Sequence, residues 1–147
     1  MLPRVKYKKR SSPPIDPLNR MGGTTEEEVL TGYVNGKAAS DLEERWAGAE
    51  RRAGREFIFL YIVDTPFQLP GEGNQIDFMD TTNVWQPIEI DGNFAHKSAQ
   101  QRAEDDARDA ILNQALAEDG ILPIARVPGD DIPTPEEADR VLREIMQ

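Results

Sequence analysis

The chain has no cysteine, a single histidine (His96), and no apolar run longer than the seven residues Phe57–Val63. Without cysteine there is no disulfide framework and no thiolate zinc site. One histidine rules out a His-rich metal cage. Seven apolar residues fall far short of the roughly 20 that a membrane-spanning helix needs, so no membrane partner is expected. Basic residues near the N-terminus are followed by no apolar segment, so the pattern is not that of a secretory signal. The location expected from these absences is intracellular (cytoplasmic), or a virion if the chain is a phage structural component. Positive charge is also scarce: 17 Lys and Arg stand against 27 Asp and Glu, a net charge of −10 over 147 residues. Such a balance argues against wrapping duplex nucleic acid by bulk charge, which needs many phosphate-neutralising cations.

The charge is divided along the chain. Residues 1–20 hold six basic groups (Arg4, Lys6, Lys8, Lys9, Arg10, Arg20) and one acid (Asp16), a balance of +5, which leaves −15 for the remainder. Pro3, Pro13, Pro14 and Pro17 lie in the same stretch, which lacks apolar periodicity. A segment of this composition cannot bury enough apolar surface to order itself. It reads either as a solubility tail or as an arm that lies on a partner, and a protein partner for it is expected. Residues 1–39 are therefore read as an extended basic, Pro-rich arm with a transition segment, in which Gly22-Gly23 forms a break and Thr24 with Glu27 makes a possible helix cap. Residues 40–147 are read as one domain.

Ser40-x-x-Glu43 is a capping box, and Leu42, Trp46, Ala49 and Ala53 recur on one helical face, so a helix is expected over about residues 41–53 with Gly54 as its stop. Phe57–Val63 has no polar alternation and reads as a strand covered on both faces. Asp64 to Gly73 is a loop. Residues 74–91 read as a hairpin in which Ile76-Asp77-Phe78 and Ile88-Glu89-Ile90-Asp91 alternate apolar with acidic. A turn centred on Asn83 sets Asp77 opposite Glu89. Asp77, Glu89 and Asp91 then share one face, and Ile76, Phe78, Ile88 and Ile90 fill the other. A helix over about residues 98–118 would bury Ala103, Ala107, Ala110 and Ile111, flanked by Leu112 and Leu116, with Arg102–Asp106 and Asp105–Arg108 as local ion pairs. Ile121–Val127 is a second apolar strand, weakened by Pro123. Thr134-Pro135-Glu136-Glu137 opens a last helix that buries Ala138, Val141, Leu142 and Ile145. The expected class is α/β, a small mixed sheet flanked by helices.

Like charges on one strand face are tolerated in water. In a partly buried site they need protons or a cation. A hard divalent ion such as Mg²⁺ (or Mn²⁺) takes oxygen ligands, often one or two carboxylates with waters and a substrate phosphate. That is a route to phosphodiester hydrolysis which requires no cysteine. The bland alternative is a solvated strand face.

The helix–strand–strand–strand–helix–strand order, taken with Ser40-x-Leu42-Glu43, Ile76-Asp77-Phe78, Glu89-Ile90-Asp91-Gly92 followed by His96, Asp105-x-x-Arg108-x-x-x-Leu112 and Ile124-Ala125-Arg126-Val127, resembles the PD-(D/E)XK, or restriction-endonuclease-like, superfamily and within it the Vsr-like branch. The resemblance covers about residues 40–130. It implies a restriction-endonuclease-like core with a C-terminal helix behind an N-terminal arm, and metal-dependent cleavage of DNA. Asp77 and Glu89 would be the metal ligands, with the Ile90 carbonyl as a third. Glu43 would approach from the first helix, His96 would lie near the scissile phosphate, and Arg108 would support the site. Asp91 stands where many relatives carry the lysine of (D/E)XK, and Lys97 lies close enough in sequence to reach in. Each residue also has a structural reading: Glu43 as the N3 cap, Asp91-Gly92 as a turn, His96 as an exposed polar group, Arg108 as the partner of Asp105, Trp46 as core. Trp85, beside the hairpin turn, is harder to bury and suits an interface. The alternative to a nuclease is an inert structural or interaction protein of nuclease-like sequence, such as a minor phage virion component tethered through residues 1–39.

Overall fold

In the computed structural model of the chain, residues 28–67, 69 and 73–147 are described. The basic arm, the Gly22-Gly23 break and the Thr24–Glu27 cap lie outside them.

Local signals set most of the elements. Ser40 Oγ accepts the Glu43 N–H at 3.2 Å and Glu43 Oε1 accepts the Ser40 N–H at 2.9 Å. Two orphan donors at the start of helix α1 (Asp41–Arg52) are thereby satisfied. Ser40→Ala should cost about 0.5–2 kcal/mol, read in a urea unfolding curve. Ser98 and Gln101 repeat the reciprocal device at the start of α2 (Ala99–Glu118). Thr134 with Pro135 opens α3 (Pro135–Ile145). A small hairpin, β1 (Tyr33–Val34) and β2 (Lys37–Ala38), precedes α1. Val34 is buried in the main core, and Glu44 of α1 accepts the Thr31 and Gly32 backbone N–H groups. The ordered body therefore reaches back at least to Thr31.

The central sheet has the order β3 (Phe57–Ile62), β4 (Gln75–Asp80), β5 (Gln86–Asp91), β6 (Ala125–Pro128). The first two pairings are antiparallel and β5–β6 is parallel, with α2 as the crossover. Phe78 faces Ile88 and Asp80 faces Gln86, so the hairpin does centre on Asn83. The result is a mixed α/β fold with helices on both faces of the sheet. One face packs Trp46, Ala47 and Ala49 of α1 and Ala138, Val141 and Leu142 of α3 against the sheet. Leu112 and Leu116 of α2 pack on the other face, against Ile76, Met79 and Ile124.

Three expectations are corrected. First, β3 is an edge strand, not a covered one: Ile58 is 39% and Ile62 58% exposed. Its apolar run reflects a switch of sides. Leu60 has φ +61°, a conformation that reverses the alternation as a bulge does. Phe57 and Phe59 therefore pack with Phe78 under α1 and α3, while Tyr61 and Val63 join the α2 side. Second, Ile76 follows the same switch and packs with α2, apart from Phe78 and Ile88. The break between Ile76 and Phe78 falls on Asp77. Third, the buried stripe of α2 is Arg108, Asp109, Leu112, Asn113 and Leu116. Ala103 and Ala107 are exposed. The inner face is therefore charged at Arg108 and Asp109, over the acids of the sheet, and apolar at Leu112 and Leu116, where an alanine stripe was expected. The last strand is also shorter than expected, because Ile121–Ile124 is irregular.

Candidate functional site

Where β4 and β5 part, the backbone ladder stops after the Phe78–Ile88 pair. Asp77 takes over: its Oδ2 accepts the Ile90 N–H at 2.8 Å. That bond draws the Asp77 carboxylate sideways toward β5 and beside Glu89. Asp77, Glu89 and Asp91 are 7%, 4% and 7% exposed, so these acids do not form a wet strand face. Burial pushes the Glu89 carboxyl well above the usual range, and the Asp77 charge pushes it further, against the pull of Arg108 and Arg126. The Asp77 charge thus favours the protonated form of Glu89, and the two carboxyl groups titrate as a coupled pair.

Cations surround the pair. Arg108 Nη2 donates to Glu89 Oε1 at 3.1 Å, while the same guanidinium donates to the carbonyls of Gly73, at 2.7 Å, and Gln75. The expected Arg108–Asp105 pair is therefore replaced: Arg108 turns inward and Asp105 goes to Lys97. Arg126, across the parallel ladder from Glu89, forks onto Asp109 at 2.7 and 2.8 Å and lies 3.9 Å from Asp91. Burial alone would lower the pKa of Arg126, but Asp109, Glu89 and Asp105 outweigh it and raise it.

Lys97 is drawn to the end of β5 by two carboxylates. Its Nζ lies 2.7 Å from Asp91 Oδ2 and also contacts Asp105. Burial opposes its charge, and these two carboxylates more than restore it. An aspartate at the end of β5 thus collects a lysine from six positions further on. Glu89, Asp91, Lys97, Arg108 and Arg126 line one cleft of about 270 Å³. Its back wall is tightly built. A Cβ on Gly129 would sit 2.6 Å from Leu42 Cδ1 and 3.3 Å from Gly92 Cα, so a side chain there would push Leu42 aside and crowd Gly92.

Two expected site residues are not brought in. Glu43 is held by its capping bond to Ser40 and does not line the cleft. His96 sits exposed in a single 3₁₀ turn, Phe94–His96, outside the cleft lining. Arg126 and Asp109 were missed as site residues. Arg126 appeared only as part of a strand motif, and Asp109 gave no signal apart from its place beside Arg108.

Among the described residues, no group of three or more histidine, cysteine or acidic side chains is placed to hold a metal ion. Asp77 is not among the residues that line the cleft, but it lies beside Glu89, which does. Asp77 and Glu89 suit a hard divalent cation that keeps most of its water and takes one or two carboxylates. They do not suit zinc or an all-protein calcium cage. No family model, curated protein or solved structure matches the chain. Among the described residues, no helix is long and apolar enough to cross a membrane.

Proposed function

We propose that residues 40–147 form a restriction-endonuclease-like domain that hydrolyses DNA phosphodiester bonds with Mg²⁺ or Mn²⁺. The observation that carries this reading is the desolvated Asp77–Glu89 pair, whose Glu89 lines the same cleft as Lys97. Around it, five carboxylates (Asp77, Glu89, Asp91, Asp105, Asp109) face three cations (Lys97, Arg108, Arg126), an excess of two negative charges when all are ionised. A divalent cation held by Asp77 and Glu89 would cancel that excess, lower the pKa of a bound water and offset charge developing on the phosphate. The chain's own groups do the rest. Arg108 fixes the Glu89 rotamer and the start of β4. Asp91 holds Lys97 at the cleft, where its ammonium is placed to meet a non-bridging phosphate oxygen. The order of elements, with the acids on β4 and β5, supports the fold assignment.

The second reading, an inert nuclease-like structural protein tethered through residues 1–39, draws support from the same ion pairs, because Arg108 and Lys97 already neutralise Glu89 and Asp91 without any metal. Plasmid cleavage separates the two. The nuclease reading expects nicking that requires Mg²⁺ or Mn²⁺, stops with chelator, and is lost in Asp77→Ala and Glu89→Ala. No cleavage, or equal residual cleavage in parent and variants, leaves the structural reading.

A further inference from the structure

A second pair of buried acids lies on the opposite side of the sheet and takes no part in the cleft. Glu50, in the last turns of α1, and Asp80, the last residue of β4, are both 0% exposed. The two differ in how they are satisfied. Asp80 is fully partnered: Arg55 donates Nε at 2.6 Å to Oδ2 and Nη2 at 3.2 Å to Oδ1, and the Thr82 N–H adds a bond at 3.1 Å. Among the described residues, Glu50 receives only the Trp46 indole N–H, at 3.2 Å on Oε1, and no donor reaches its Oε2. A buried carboxylate oxygen without a donor is costly unless it carries a proton, and a protonated Oε2 can donate to Asp80.

We propose that Glu50, Asp80 and Arg55 form a proton-operated latch between α1 and β4, closed while Glu50 is protonated and released when it ionises. With the latch closed, one proton and one guanidinium serve two carboxyl groups. With Glu50 ionised, two carboxylates share a single arginine in a dry interior, and α1 is pushed from the sheet. Asp80 and Arg55 are the charged groups that act on Glu50, and Arg51 of α1 donates to Asn35. Arg52 of α1 is bonded to Asp139 of α3, Arg143 of α3 lines the cleft beside Ala49, and Lys37 of the small hairpin donates to the Phe59 carbonyl. Burial, reinforced by Asp80, pushes the Glu50 carboxyl up to about 9, whereas Asp80 is held low: burial would raise it, and Arg55 overrides that. The proton therefore belongs to Glu50.

The latch has reach. Leu42, at the other end of α1, packs against Gly92 and Gly129 behind the candidate cleft. Release of α1 would loosen that wall. The inference does not depend on nuclease activity.

The sign of the pH effect follows from linkage. Between the unfolded carboxyl value of about 4.5 and the folded value of about 9, the folded chain keeps a proton that the unfolded chain has lost, so stability falls as pH rises through this window. The test compares thermal midpoints of the full chain and Glu50→Gln from pH 5 to pH 10. Glutamine keeps the shape, accepts the Trp46 N–H and donates to Asp80, but cannot ionise. The expected result is a flatter profile for the variant, which overtakes the parent well before pH 9. Parallel profiles would overturn the latch. A second readout covers the case in which Glu50→Gln does not fold. In Trp85→Phe, emission comes from Trp46 alone, and it should titrate with a midpoint near 9. An emission flat from pH 7 to pH 10 would overturn the proposal as surely.

Discussion

Asp77→Asn should lower Mg²⁺-dependent plasmid cleavage by roughly 10³-fold, and Lys97→Met by roughly 10²–10³-fold, with both proteins folded. The asparagine keeps an acceptor for the Ile90 N–H, so the parting of β4 and β5 survives while the charge is lost. Glu89 then loses the neighbour that raises its pKa, and the pair can no longer offer two anionic ligands. For Lys97 the loss is of a positive charge aimed at a phosphate. Its methylenes pack as those of methionine do, but Asp91 and Asp105 are left facing each other. Asp91→Asn makes the informative comparison. Lys97 keeps Asp105 but loses the carboxylate that draws it into the cleft, so activity should fall by less than in Lys97→Met. Circular dichroism of each variant, recorded beside the cleavage rate, separates a lost site from a lost fold. If Lys97→Met cleaves as fast as the parent while Asp77→Asn does not, the lysine is only the counter-ion of Asp91.

The sequence carried the element order because each boundary had a local cause: the capping box at Ser40, the stop at Gly54, the Thr134-Pro135 start. It also carried the register of the hairpin, Phe78 against Ile88 and Asp80 against Gln86, since a turn centred on Asn83 fixes it arithmetically, although the ladder ends before Asp77 and Glu89. What could not be read was whatever depends on long-range contacts. The Phe57–Val63 run looked doubly buried because Leu60 reverses the alternation, and nothing local marks a leucine for positive φ. On α2 the apolar pattern pointed to an alanine face. The face actually buried joins Leu112 and Leu116 to the charged Arg108 and Asp109, whose partners Glu89 and Arg126 sit on strands distant in sequence. Spacing explains the same failure at Glu43 and His96. Both satisfy a motif, but the first is already engaged by its own helix terminus and the second is turned to water. Lys97 is the converse case: it fits no motif position and is recruited by an ion pair across a loop.

Arg108→Met should destabilise the fold by about 3–5 kcal/mol, the cost of breaking a buried ion pair from one side. Arg108 is 4% exposed and serves three acceptors from two segments: the Gly73 and Gln75 carbonyls before and at the start of β4, and the Glu89 carboxylate on β5. Methionine fills much of the volume but supplies no donor. Two backbone carbonyls then lose a charge-assisted partner, and each such loss is expensive in a site that excludes water. Glu89 loses a cation that holds its pKa down, so its proton becomes still harder to remove. The pH dependence of the loss follows. Glu89 already folds with a raised pKa, so its contribution to stability is fully present below the unfolded carboxyl range and fades as pH rises; removing Arg108 widens that window. The penalty of Arg108→Met should therefore be smaller at acid than at alkaline pH in urea unfolding. A divalent cation offers a cross-check: if it binds Asp77 and Glu89, it should restore part of the lost stability at alkaline pH, because binding to the folded state alone shifts the equilibrium by mass action. A penalty that is equal at acid and alkaline pH and blind to Mg²⁺ would show that Arg108 serves the two carbonyls and not the acid pair.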